Sequence, residues 1–419
     1  MKKRVAALSC ACLLGACANS AISPDATDLG TPGNWVRGGD AGQVSPDWLD
    51  TFADPTLASL VDEAIAGNYS LAQEQARLLD AAQAVTIARA DRFPSLDVSL
   101  GASRRGIRGS SGERILIETY DADIGAFWDA DLWGRLSKEQ QAARLSFAAQ
   151  EARVDSARRD LAAQTANGYF RAIAAKQLLE VTRRRLDNVM ESHEIVASGY
   201  RQGLNDALDL YLARNQVKRV RASLAQQEQA VAEAVADLQL ALARYPDGRM
   251  ELASSLPVLP GSIPVGLPSE LLTRRTDLQE AWLNLLAADA RLAAAHKARF
   301  PSLALVGSAG VTSADLSDLL DVDLSVWSAS ASLTQPLFNA GELAAREEQA
   351  RARVQLAEEQ YLDRVFRAFA VVENAISRST SLQQRYDAFL DAERNSRAAL
   401  ELALEQYQRC LVTYTTVLE

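Results

Sequence analysis

The 419 residues include only two histidines, three methionines and four cysteines. Two histidines argue against a His-based metal site or a Ser-His-Asp triad. Aromatics make up 6% of the chain, while Ala, Leu, Arg, Gln and Glu crowd long stretches, as they do in long helices. Basic charge is in deficit, with 44 Lys and Arg against 54 Asp and Glu and a net charge of −10. That argues against a nucleic-acid partner, whose affinity rests on neutralised phosphates. Proline is missing between Pro94 and Pro246 and again after Pro336. Beyond the leader, no run reaches the ~18 uninterrupted apolar residues of a membrane helix, so a membrane span would have to be made of strands. At 48% apolar and 23% charged, the chain is too apolar for disorder and long enough for two or three ordinary domains. The chain reads as a non-enzyme with no cofactor.

Residues 1–16 read as a signal peptide: Lys2, Lys3 and Arg4 precede an apolar run from Val5 to Ala16. The sequence Leu14-Gly15-Ala16-Cys17 resembles a bacterial lipobox, which implies a lipid on Cys17. Cleavage would discard Cys10 and Cys12 and bring the balance to 41 basic against 54 acidic residues, a net charge of −13. Only Cys17 and Cys410 would remain, which leaves no intrachain disulfide despite an oxidising compartment. By the same resemblance, Ala18 in place of an aspartate implies no retention at the inner membrane.

An internal repeat organises the rest. Arg92-Phe93-Pro94-Ser95-Leu96 returns as Arg299-Phe300-Pro301-Ser302-Leu303, an offset of 207. At that offset Leu71, Leu78 and Ala88 meet Leu278, Leu285 and Ala295, Gly134 meets Gly341, and Tyr200 meets Tyr407. The expected segments are a lipidated, extended N-terminal stretch over 17–67 and a first repeat over 68–245. A Pro-rich connector over 246–268 and a second repeat over 269–419 follow. Within the first repeat, strands are expected at about 95–103 and 116–132 and long helices at 135–199 and 207–244. The helical seam reads Phe147, Val154, Leu161, then Ala172, Ala175, Leu179, Thr182, Leu186, Val189, His193, Val196 and Tyr200. A rod of this length spans roughly 100 Å and demands partner helices. The second repeat has 12 residues after Tyr407, whereas the offset places its end near residue 452, so the last helix is expected to be incomplete.

Leu96, Val98, Leu100 and Ala102 alternate with polar residues. Ala122, Ile124, Ala126, Trp128, Ala130 and Leu132 share one face, with Asp121, Asp123, Asp129 and Asp131 on the other. Leu303, Leu305, Ala309 and Val311, then Trp327, Ala329, Ala331 and Leu333, repeat the pattern. Arg104 to Arg114 reads as the turn between the first two strands. The alternation fits barrel strands with an apolar outside; an ordinary half-buried sheet gives the same pattern. Four strands cannot close a membrane barrel, and open edges are forbidden in lipid, so other copies must complete it; three would supply 12 strands.

The lipobox, the two Phe-Pro-Ser-Leu segments, Asp131-Leu132-Trp133-Gly134-Arg135 and Pro336-Leu337-Phe338 together resemble the TolC-type outer-membrane efflux family, in its NodT/OprM-like lipoprotein branch. The resemblance implies an α+β, mainly α, tandem-repeat protomer of a homotrimer. Its trimeric 12-stranded β-barrel would sit in outer-membrane lipid and continue into a long periplasmic α-helical coiled-coil barrel. The implied function is the passive outer-membrane duct of a tripartite efflux system, partnered by a periplasmic adaptor and an inner-membrane RND-type pump. Tyr200, Gly203, Leu204 and Asp209 match one tip of the tunnel. Tyr407, Cys410 and Leu411 match the other, with Cys410 where glycine is usual and Val412 where a basic residue is usual. The resemblance also pairs Asp209 with Tyr407 across the aperture, and places Thr416 where an aspartate is frequent and Glu419 at a pore-constricting position. A non-conducting periplasmic coiled-coil scaffold lipoprotein is the alternative, though it leaves the two alternating hairpins unexplained.

Other patterns carry less. Gly101 to Gly106 has P-loop-like spacing but is followed by Ile107 and Arg108. His193-Glu194 lacks a second histidine four residues on, and the alternating aspartates read as a polar wall before they read as a metal site.

Overall fold

The computed structural model describes residues 30–39, 42, 44, 48–108, 110, 112–204, 206–258, 263–320, 325–409, 411–412 and 416. Cys17 lies outside the described residues, as do Cys410 and Glu419.

The stretch expected to be extended up to residue 67 instead contains a 3-10 turn, Trp48–Phe52, and a helix, α1 (Pro55–Gly67). The reason is local. Asp54 accepts from the backbone N–H groups of Thr56 and Leu57, Pro55 presets the first helical φ, and Leu57, Leu60, Val61 and Ala64 form one buried stripe. Asn68 then ends α1 and caps α2 (Tyr69–Ala90), its side chain accepting from Ser70 and Leu71.

Strands β1 (Ser95–Arg108) and β2 (Arg114–Ala130) follow, then α3 (Arg135–Arg201) and α4 (Ala207–Ala241). The second half contains α5 (Pro268–Arg274), α6 (Thr276–Lys297), β3 (Ser302–Ser313), a 3-10 turn at Leu316–Leu320, β4 (Ser325–Thr334) and α7 (Glu342–Gln408). The offset of 207 reappears in the geometry. Both α2 and α6 have 22 residues and both α3 and α7 have 67, and each pair begins and ends 207 residues apart.

Five boundaries differ from the sequence expectation, among them the end of α3, at Arg201 rather than 199. The hairpin strands run past the Arg/Gly/Ser stretch, because Ile115, Leu116 and Ile117 pair with Ile107, Gly106 and Arg105; the loop shrinks to 109–113. Strand β2 stops at Ala130 rather than 132, because Asp131 turns away to cap α3. Helix α4 stops at Ala241 rather than 244. Ala243 there adopts φ +56° and Arg244 closes onto the Gln239 carbonyl at 2.8 Å, a left-handed helix stop made without glycine.

The chain forms two compact units. The larger comprises Asp47–Pro260 and Arg275–Tyr361. Its spine is α3, packed by α1, α2, α4 and α6. Of the expected seam, Val154, Leu161, Ala172, Leu179, Thr182 and Val196 are buried, and Tyr169, Ala172 and Ile173 have no exposed surface. Fully burying the Ile173 side chain contributes about 1.5–3 kcal/mol. The buried threonines bond back along the helix, Thr165 to the Leu161 carbonyl and Thr182 to that of Leu178, both at 2.8 Å. In the second repeat Leu285, Ala288 and Leu292 of α6 pack on Ala350 and Val354 of α7, with Trp282 against Tyr361 at 5.4 Å.

In the smaller unit, built from Asp28–Pro46, Gly261–Arg274 and Leu362–Glu419, the Trp35 indole donates to the Gly266 carbonyl at 2.9 Å and packs edge-on against Phe369. Glu373 accepts from the backbone of Val36 at 2.7 Å and of Arg37 at 3.1 Å.

Candidate functional site

The strands form one antiparallel sheet in the order β1-β2-β3-β4. Its registers are unbroken, so side-chain parity holds across it. Leu96, Val98 and Leu100 stand opposite Ala126, Ile124 and Ala122. Those in turn stand opposite Gly307, Ala309 and Val311, and Gly307 and Ala309 face Ala329 and Trp327. One face is therefore apolar across all four strands, and on β2 it runs from Ala122 to Ala130, about 27 Å of strand.

The opposite face is polar. Ser99 donates to Asp123 at 2.8 Å, and Ser308 and Ser328 meet at 2.8 Å across β3 and β4. Asp121 lies over Gly101, where an added Cβ would collide with its carboxylate. Asp97 also belongs to this face. Leu96, Val98 and Leu100 are each more than 70% exposed, and Trp327 is 81% exposed, so the apolar face is unburied within the chain. Among the described residues, strands β1 and β4 each have one unpaired edge.

The sheet meets the helices at a polar joint. Asp131 accepts from the Leu136 N–H at 2.9 Å, the Ser137 N–H at 2.8 Å and the Ser137 hydroxyl at 2.6 Å. Gly134, at φ +76°, makes the corner. Burial pushes the Asp131 carboxyl up, but the Ser137 and Leu136 donors prevail and hold it below the usual range. The Trp133 indole donates to the Pro301 carbonyl at 2.8 Å and stacks on Phe300 at 5.4 Å, which ties the first repeat to the Phe-Pro-Ser of the second. Arg135 pairs with Asp129 at 2.8 Å.

At the far end of α3, Gly203 adopts φ +73°, its N–H reaches the Tyr200 carbonyl at 3.0 Å, and Leu204 closes onto the Gly199 carbonyl at 2.8 Å. Asp206 then caps α4 by accepting the Asp209 N–H at 2.9 Å. The expected residues Tyr200, Gly203, Leu204 and Asp209 are thus gathered at one helix–helix turn. Leu208, Tyr211 and Leu212, passed over in the sequence, join them as exposed apolar side chains of 63, 66 and 56%. Their signal was an apolar run immediately after a helix cap. Tyr407 lies in the last turn of α7 and Leu411 just beyond it, exposed; the side chain of Tyr407 lies outside the described residues. His193, expected on the seam, is half-buried, and its Nε2 has no hydrogen-bond partner. Among the described residues there is no cluster of His, Cys, Asp and Glu that could hold a metal, and no helix is long and apolar enough to cross a membrane.

Comparisons with known proteins converge on one architecture. The family model for the outer membrane efflux protein matches residues 60–244 and 267–419. The probable outer membrane lipoprotein SilC of Salmonella typhimurium is 29% identical over 377 residues, covering 89% of this chain and 80% of its own. The cation efflux system protein CusC of Escherichia coli is 28% identical over 379 residues, covering 89% and 81%. The solved outer-membrane channel OprN superposes with a TM-score of 0.85 at 26% identity, covering 96% of this chain and 89% of that one.

Proposed function

The chain belongs to the outer membrane efflux protein family, and we propose that three copies assemble into one passive duct through the outer membrane. The observation that carries this is the four-stranded sheet with two open edges and one continuous apolar face. In hydrocarbon each unpaired backbone group costs several kcal/mol, and four strands cannot close on themselves. Three copies give 12 strands, and β4 of one protomer meets β1 of the next.

In this duct the polar face lines the lumen and α3, α4 and α7 line a periplasmic tunnel. The tip of the first repeat holds Tyr200, Gly203, Leu204 and Asp209, and that of the second holds Tyr407 and Leu411. Asp209 helps to narrow the aperture at its tip. The exposed Leu208, Tyr211 and Leu212 suit a periplasmic adaptor, which couples the duct to an inner-membrane pump of the RND class. Lipid on Cys17 anchors the N-terminus. The duct itself carries out no reaction and takes its cargo, small molecules or cations, from the pump.

Single-channel conductance of the acylated protein in planar bilayers tests this, beside heat-modifiable trimer migration. Small, cation-selective conductance that rises in Asp209→Ala supports the gated duct. Protein that lies on the bilayer without conducting, and migrates without a heat-sensitive trimer, would leave a coiled-coil scaffold instead.

A further inference from the structure

The β1–β2 register continues without a bulge from Ser95↔Phe127 to Arg108↔Arg114, whereas β3 leaves β2 at Tyr120↔Ser313. Past Tyr120 the hairpin is a ribbon of two strands. Parity places Arg104, Gly106 and Arg108 of β1, and Arg114, Leu116 and Glu118 of β2, on the face that begins with Leu96, Val98, Leu100 and Ala102.

Charge on this ribbon face is unbalanced. Arg104 is neutralised by Glu118 at 3.0 Å. Arg108 stands directly across from Arg114, an arrangement in which like charges repel. Neither arginine forms an ion pair among the described residues, and both are exposed. The Arg114 guanidinium folds back over Gly106, its Nε 3.5 Å from where a Cβ would stand, with Leu116 Cδ2 at 3.6 Å. Arg108 lies twelve residues beyond Leu96, about 40 Å of strand, or about 30 Å of height at the usual barrel tilt. An outward apolar band of about 25 Å and a headgroup layer of about 5–7 Å add up to the same height, which puts the two guanidinium groups within reach of the headgroups.

We propose that Arg108 and Arg114 form a clamp for the phosphate of an anionic lipid headgroup in the outer leaflet. Two guanidinium forks present paired N–H donors that match phosphate oxygens, and a phosphate between them converts the repulsion into attraction. Continuity with the apolar stripe selects a lipid over a soluble anion, because the acyl chains of a bound lipid would lie along Leu96, Val98 and Leu100. The inference rests on the reading that this face meets lipid.

Native mass spectrometry of the full acylated protein in neutral detergent tests it, with phosphatidic acid and phosphatidylcholine of matched chains as probes. The expected result is a preference for phosphatidic acid that falls roughly fivefold or more in Arg108→Gln/Arg114→Gln. Arg105→Gln, on the other face of the ribbon, should keep the full preference. An equal loss in Arg105→Gln would reduce the effect to general charge and overturn the clamp. Displacement of the lipid by inorganic phosphate at equal concentration would overturn the lipid in favour of a soluble anion. An intact, heat-modifiable trimer without lipid preference would overturn this proposal alone, whereas a preparation with no such trimer would overturn the duct as well.

Discussion

Leu411 donates its backbone N–H to the Gln406 carbonyl at 2.9 Å, and 207 residues earlier Leu204 donates to Gly199 at 2.8 Å. The duplication therefore reaches the hydrogen bonds that stop its helices as well as the helices themselves. It reaches side chains too. Arg92 donates to Gln140 at 2.7 Å, and at the same offset Arg299 reaches Glu347 at 2.7 Å, so a neutral acceptor in one repeat is a carboxylate in the other.

The α3–α4 turn depends on glycine at one position. Gly203 holds φ +73°, and nothing lies within 4 Å of the Cβ it lacks, so Gly203→Ala meets no clash and only backbone strain. A loss of about 1 kcal/mol is expected. Hydrogen exchange at Gly203 and Leu204 should accelerate about fivefold, while the buried centre of α3 around Tyr169 keeps its protection. Unchanged exchange at the turn would contradict the assigned strain.

Much of this architecture was legible in the sequence. The spacing of Leu161, Ala172, Leu179 and Val196 identified the buried side of α3, and alternation from Ala122 to Ala130 identified the two faces of the sheet. Proline-free stretches gave the long helices. The misread segments have separate causes. At Arg104–Arg108 the residue types favour a turn, but cross-strand partners on β2 keep them in the ribbon. At 48–67 helix caps and a short buried stripe were hidden, and only the last turns of α1, from Val61 to Gly67, have a counterpart 207 residues on, in α5. The network around Glu74, Gln150, Arg153 and Glu280 was not legible at all, because its members lie 76, 79 and more residues apart.

Two carboxylates make stability sensitive to acid. Glu74 is 10% exposed and accepts from Arg153 and Gln150, each at 3.0 Å, while Arg153 also reaches Glu280 at 3.5 Å. The Arg153 hydrogen bond is the strongest influence on Glu74 and holds its carboxyl below the usual range against burial. For Glu347 burial is the largest influence and pushes upward, but Arg299 at 2.7 Å and His296 at 3.1 Å prevail. A lowered folded-state value means stabilisation that is complete above about pH 4.3 and lost as pH falls through the folded-state value. Glu74→Gln should therefore be less stable than wild type by about 1–2 kcal/mol at pH 7, allowing for the half-exposed Arg153. In thermal unfolding scans that gap should narrow toward pH 3. A gap of constant size would assign the loss to packing rather than charge.

The joint between sheet and helix rests on Asp131, whose carboxylate satisfies two N–H groups that α3 would otherwise leave open. Asp131→Ala should cost about 1–2 kcal/mol. Asp131→Asn, which keeps one acceptor oxygen, should lose less. The expected readout is a lower midpoint of thermal unfolding in that order. Equal losses in the two variants would mean that charge, rather than hydrogen-bond capacity, holds the joint.

The polar face of the sheet predicts the ion preference of the duct. Asp97, Asp121 and Asp123 present carboxylates on one wall, and three copies would ring the lumen with them. Asp129 differs: Arg135 neutralises it at 2.8 Å, so it adds little to the field. Asp121→Asn/Asp123→Asn should lower the cation-to-anion permeability ratio in planar bilayers by severalfold at low salt, with a smaller effect at 1 M, where the screening length is about 3 Å. Asp129→Asn should leave the ratio near wild type. If all these variants conducted with unchanged selectivity, the preference would be set elsewhere, at the helical tip. Asp209→Asn would then carry the effect that the strand carboxylates did not.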